Sequence, residues 1–296
     1  LKFSFNLNRN ILLNKSLSWY ECQIYHSIWD TCYLNQSEED LMPTYTLKLY
    51  YSIVVFANIY YARLVINHKT KIALMGHLVY ASKAKIAEFR KSKIKIIGHT
   101  AESYFKLDRN TDMMWMIIKK NHPNTLNKNL LSNYTKKYWN KRISGQGVGE
   151  DTRVASKSEG KFDKQKYKNV IMLHIFKDSP FNFIDRERIF CDYYEWVEKT
   201  LEILCKSKER WVIRVHPNSK RWGENSEKIF KKILDKVINK TGLEPNIIFD
   251  RKKISNLNIF KHSKKIVTFS GTPHIEAVCF GIKPIVISDV TLSVIS

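Results

Sequence analysis

The chain has 296 residues, with 50 Lys and Arg against 28 Asp and Glu, a formal net charge of +22, and a 44% hydrophobic fraction. That length suits two domains of about 100–200 residues, and that apolar fraction supplies a core for each, which excludes a disordered basic tail and the collagen-like and low-complexity classes. The charge exceeds what solubility requires and favours polyanionic partners: nucleotides, acidic glycans, an anionic membrane face or RNA.

Residues 1–20 mix charges and Asn with apolar side chains and lack the apolar core of a signal peptide. Long apolar and aromatic runs over residues 13–66, with few Gly or Pro, predict helices. Within them Leu49 to Ala62 forms an apolar stretch of about 14 residues, where a bilayer span needs about 20, so a buried helix is expected there. Lys71 to Gly76, Ser82 to Ser92 and Ile94 to Gly98 then read as strand, helix and strand, a β-α-β unit. Thr111 to Trp139 has a helical pattern. The Gly- and Ser-rich stretch Ser144 to Gly160 breaks it, which places a boundary near residue 150 and domains at 1–150 and 151–296.

Beyond the boundary the alternation is regular. Strands are expected at Asn169–His174, Trp211–Val215, Asn246–Phe249, Lys265–Phe269 and Pro284–Ile287. Helices are expected at Cys191–Lys206, Ser226–Lys240, Ile254–His262 and from Ser270 to about Phe280. Such a pattern predicts an α/β fold with a parallel sheet covered on both faces and ligands at the carboxyl ends of its strands. Cys22, Cys32, Cys191, Cys205 and Cys279 are odd in number and contain no C-x-x-C pair, so neither a disulfide framework nor a cysteine zinc site is indicated, and a reducing cytoplasm fits. The chain starts without Met and stops just after an apolar strand, so a fragment is expected.

Two segments carry candidate chemistry. Arg214-Val215-His216-Pro217 sits at a strand's carboxyl end, where the His216 imidazole suits donation to phosphate and Arg214 supplies charge or a structural ion pair. The same residues also suit a buried His beside a turn proline. Thr268 to Ala277 runs from a strand through Ser270, Gly271 and Thr272 into a helix with Pro273 in its first turn. Its free amides and positive end suit a phosphate, and Glu276 suits a ribose hydroxyl; helix capping by Thr272 and dipole balancing by Glu276 are the alternatives. No Walker A sequence and no G-x-G-x-x-G after a strand occurs. No D-x-D metal motif is evident, and no recognisable nucleic-acid-binding motif appears.

From Asn169 to Val286, the order of His174-Ile175-Phe176-Lys177-Asp178-Ser179, Glu195-Trp196, R-V-H-P, S-G-T-P-H-I-E-A and G-I-K-P-I-V resembles the glycosyltransferases of capsular and surface polysaccharide biosynthesis. The likeness extends more weakly to Met75-Gly76-His77-Leu78-Val79-Tyr80. It implies a GT-B architecture, two Rossmann-like domains facing a cleft, whose closing C-terminal helices are absent from this sequence. It also implies a nucleotide-sugar donor held through His216, Ser270, Gly271, Thr272 and Glu276, with Asp178 bordering the cleft. Arg214 joins the donor-binding set by its place beside His216, His77 and Asp178 are the catalytic candidates, and no essential metal or cofactor is expected. The acceptor is a glycan or a lipid-linked glycan, at the cytoplasmic face of the plasma membrane. Tyr80 is placed with His77 on the acceptor side; the sugar class, hexosyl or of the sialyl/Kdo type, stays open. A polyol-phosphate transferase or a nucleotide-sugar epimerase of similar fold is the alternative, and a non-catalytic basic protein binding glycan or RNA the alternative of another class.

Overall fold

A computed structural model describes residues 8–14, 16–76, 79–99, 104–107, part of 133–144, and then 163–178, 189–250, 254–269 and 272–287. The chain forms two compact units, Leu1–Lys120 with Phe176–Trp196, and Asn121–Ile175 with Val197–Ser296. The stretch expected to divide the chain, residues 144–160, lies almost wholly outside the described residues, as does most of the helix expected at 111–139. Phe176–Trp196 is a later piece of chain that belongs to the first unit.

In the first unit, α1 (Trp19–Asn35) opens with a capping box: the Ser18 side chain accepts from the Glu21 amide, and the Glu21 carboxylate accepts from the Ser18 amide at 2.8 Å. Its buried face includes Ile24, Ile28, Trp29 and Tyr33. The Tyr33 hydroxyl donates to Asp192 at 2.6 Å, Arg9 pairs with the same carboxylate at 3.2 Å, and the Glu195 amide donates to it at 2.8 Å. Burial raises the Asp192 pKa, and these three partners oppose the shift.

The second helix, α2 (Tyr45–Asn67), corrects the expectation of a buried helix. Only Ser52, Val55, Ile59 and Ala62 are buried, along one narrow face, and much of the opposite face is exposed. It packs on α1 and on α3 (Lys83–Lys91). The three helices meet at Glu88, which accepts from the Tyr20 hydroxyl at 2.5 Å and from Arg63 Nε at 2.9 Å. Burial works against the Glu88 charge, but the hydrogen bonds from Arg63 and Tyr20 outweigh it and hold the carboxyl below its usual range.

The expected β-α-β unit is present: β1 (Ile72–Gly76) and β2 (Lys95–His99) are parallel and joined through α3. A strand absent from the sequence reading, β3 (Tyr104–Leu107), pairs antiparallel with β2, so this sheet is mixed. Four residues separate β2 from β3, too few for the crossover that a parallel neighbour needs. Ala62 of α2 packs with Ala73, Met75, Ile86, Phe89 and Ile96 beneath the sheet.

The second unit contains β4 (Asn169–Met172), most of α4 (Tyr193–Cys205), β5 (Trp211–Arg214), α5 (Ser226–Thr241), β6 (Ile247–Phe249), α6 (Asn256–Phe260), β7 (Lys265–Thr268), α7 (Thr272–Cys279) and β8 (Ile285–Val286). Its five strands are ordered β6-β5-β4-β7-β8, and every pair is parallel. All four residues of the central β4 are buried, which explains its unbroken apolar run rather than an alternating one. Val170, Met172, Val212 and Ile266 pack against Leu257, Phe260 and Ala277 of the covering helices; each such side chain contributes about 1.5–3 kcal/mol. Helix α5 is closed by Gly242 in the left-handed region at φ 67°, where its amide donates to the Ile238 carbonyl at 2.8 Å.

Candidate functional site

The strand order of the second unit contains a switch point. From β4 the chain moves outward through β5 to β6, then returns to the other side of β4 as β7 and continues to β8. Loops leaving β4 and β7 therefore diverge at the carboxyl edge, and that divergence is where doubly wound sheets take their ligands. Thr268 Oγ1 donates to the Met172 carbonyl at 3.2 Å and the Leu173 amide donates to the Arg214 carbonyl at 2.8 Å, so the ends of three neighbouring strands are tied together.

Two histidines share this edge. His174 stands two residues beyond β4 and His216 two beyond β5, with ring centroids 5.8 Å apart. The Asn218 amide donates to His216 Nδ1 at 3.2 Å, which leaves the ring proton on Nε2. Burial, reinforced by neighbouring His174, pushes the His216 pKa down to about 3. His216 is thus a neutral imidazole at physiological pH and offers one N–H donor, not a positive charge. His174 was not singled out for a role in the sequence; its position at the end of a predicted strand was the available signal.

The Arg214 guanidinium is engaged within the fold on three sides. Its Nε donates to Asn256 at 2.9 Å, Nη1 pairs with Asp250 at 2.5 Å, and Nη2 donates to the Ile254 carbonyl. Asp250 also accepts from the Tyr167 hydroxyl at 2.8 Å, and burial together with that carboxylate raises the Tyr167 pKa. Of the two roles read for Arg214, the ion pair is the one formed: it clamps the turn between β6 and α6 to the end of β5.

Glu276, expected on a ribose hydroxyl, is instead buried and spanned by the buried Arg142, whose Nε and Nη2 each hold one carboxylate oxygen, the latter at 2.9 Å. Facing the core from the second turn of α7, the pair fixes how that helix lies and hence where its first turn points. Thr272 is the first residue of α7 and Pro273 lies in its first turn, as expected, while Ser270 and Gly271 and the Thr272 side chain lie outside the described residues.

The catalytic candidates belong to the first unit. His77 lies outside the described residues. Tyr80 follows β1 in the left-handed region at φ 57°, a costly conformation for a residue with a Cβ, and its hydroxyl is 3.5 Å from Asp178 Oδ1, at the outer limit of hydrogen bonding. The structure thus brings together Tyr80 and Asp178, residues that are 98 positions apart in the sequence.

No family model matches the chain, and no curated protein matches it. Among solved structures the chain is similar to the KpsC beta Kdo 2,4 transferase of Thermosulfurimonas dismutans, with a TM-score of 0.43 and 12% identity over 74% of this chain and 71% of that one.

Proposed function

We propose that this protein is a glycosyltransferase of the GT-B type that moves a sugar from a nucleotide donor to a surface glycan or lipid-linked acceptor. The observation that carries the reading is the neutral His216 beside the switch point of a wholly parallel sheet, next to a strand that leads into α7. Free amides at a helix start and an uncharged imidazole N–H are donors matched to phosphate oxygens.

In the reaction, the bond from the anomeric carbon to the donor phosphate breaks and the electron pair leaves with the phosphate. The acceptor oxygen forms the new bond to that carbon, and its proton passes to a base. Charge develops on the departing phosphate, and donors already aimed at it stabilise that charge without reorganisation. His216, Ser270, Gly271 and Thr272 have this role in the proposal. No metal is required for it. The base in the proposal is Asp178 or His77, and the Tyr80 hydroxyl orients the Asp178 carboxylate. Arg214 and Glu276 act through the fold.

Thermal stabilisation by CMP, UDP, GDP and CDP tests the proposal. A nucleotide at about 100 times its Kd adds about 2.7 kcal/mol to the folded state, so one of the four raises Tm by several degrees, and His216→Ala removes most of that rise. No rise with any of the four, or an undiminished rise in the variant, contradicts the site.

A further inference from the structure

Helix α2 presents a face that nothing described in the fold covers. Leu49, Tyr50, Ile53, Tyr60, Tyr61 and Leu64 recur at helical spacing on one side, and each is well exposed, Ile53 to 62% and Tyr60 to 64%. The stripe runs along a 23-residue helix about 34 Å long. The polar groups within the helix are satisfied locally: Ser52 donates to the Lys48 carbonyl at 2.7 Å and Asn58 to the Val54 carbonyl at 2.9 Å.

The helix itself carries no acid. Between Asp40 and Glu88 the sequence contains no Asp or Glu, but contains Lys48, Arg63, Lys69, Lys71 and Lys85 as well as the buried Lys83, and the acids Glu38, Glu39 and Asp40 stand before the N-terminal end of α2. Lys85 Nζ lies 5.5 Å from the centroid of the Tyr61 ring, at one border of the stripe, and Lys69 and Lys71 are exposed just beyond the C-terminal end of α2. An apolar face rich in tyrosine, with no acid of its own and bordered by cations toward its C-terminal end, matches the boundary between headgroups and acyl chains of an anionic bilayer. RNA would gain from the lysines but offers no apolar phase for Ile53 and Leu64.

We infer that α2 docks this protein on an anionic lipid surface, lying in the plane of the interface with its Tyr and Leu face toward the acyl chains. Although α2 is long and apolar enough to span a bilayer, its other face is committed to the fold. Ala62, Val65 and Ile66 pack on the cluster of Ala73, Met75 and Ile96, and Arg63 donates to Glu88 at 2.9 Å. Crossing the membrane would pull those contacts apart. The inference does not depend on the transferase reading.

Flotation of the full chain with vesicles tests it, using phosphatidylcholine alone and phosphatidylcholine with about a third phosphatidylglycerol. The wild type floats with the anionic vesicles, less so as salt screens the lysines, and floats weakly with the neutral ones. Ile53→Asp, on the exposed side, lowers partitioning roughly tenfold or more while circular dichroism and Tm stay unchanged; Tyr60→Ser lowers it by a smaller factor. Equal partitioning of Ile53→Asp and wild type, equal binding to neutral and anionic vesicles, or resistance to alkaline carbonate extraction overturns the inference. So does a concentration-dependent dimer that Ile53→Asp abolishes, which would assign the face to a second copy of the chain.

Discussion

The imidazole of His216 makes an acid-sensitive contribution with a sign that follows from its burial. With a pKa near 3 in the folded state and about 6.5 in the unfolded chain, the ring remains neutral when folded while the unfolded chain takes up a proton across that interval. Stability is therefore fully present above about pH 6.5 and is lost as pH falls toward 3. Urea midpoints measured at pH 7 and pH 5 should drop further for the wild type than for His216→Asn, which has no ring to titrate; equal drops would contradict the desolvation of His216. Arg214 makes a contrasting prediction. Lysine cannot reproduce a planar fork that reaches Asn256, Asp250 and the Ile254 carbonyl at once. Arg214→Lys should cost about 1–3 kcal/mol in denaturant unfolding yet leave the nucleotide-induced rise in Tm intact, whereas loss of the rise without loss of stability would return Arg214 to the phosphate.

Helix α7 depends on a pair of buried charges, and its energetics should be non-additive. Removing one partner leaves the other charged and buried, so Glu276→Ala or Arg142→Ala should each cost about 3–5 kcal/mol. The double variant Arg142→Met with Glu276→Leu, which removes both charges and keeps apolar volume, should unfold at higher urea than either single variant. A double variant less stable than both singles would mean that the two side chains contribute independently, and would contradict the penalty of an unpaired charge as the dominant cost. The position of Glu276 on α7 was readable from the sequence, but its partner was not. Arg142 is 134 residues earlier, and no local pattern signals a pairing across that distance.

Other elements divide in the same way between local and long-range information. The strands and helices from Asn169 to Val286 were legible because apolar runs alternate with amphipathic segments bounded by Gly, Pro and Asn, all local signals. Strand β5 ends at Arg214, one residue short of the Val215 end expected ahead of Pro217. Helix α2 was legible as a helix, but not as a half-exposed one: an apolar stripe reads the same whether it meets a core or a solvent boundary. Strand β3 was missed because its place depends on the edge of β2, with which it pairs antiparallel. The closeness of His174 to His216 depends on which strand ends the topology makes neighbours, and the contact of Tyr80 with Asp178 on the return of Phe176–Trp196 to the first unit.

For the whole molecule, the two proposals divide the chain's tasks: the donor nucleotide at the carboxyl edge of the second unit's sheet, and the lipid-docking helix α2 in the first unit. This division predicts where a nucleotide should slow backbone exchange. Amide hydrogen exchange of the intact chain, with and without the nucleotide that raises Tm, tests it most directly. The account predicts protection at residues 173–175, 215–219 and 269–275, the segments that follow β4, β5 and β7, with α2 unchanged. Protection confined to the first unit, or spread evenly over both units without a maximum at those three segments, would contradict it.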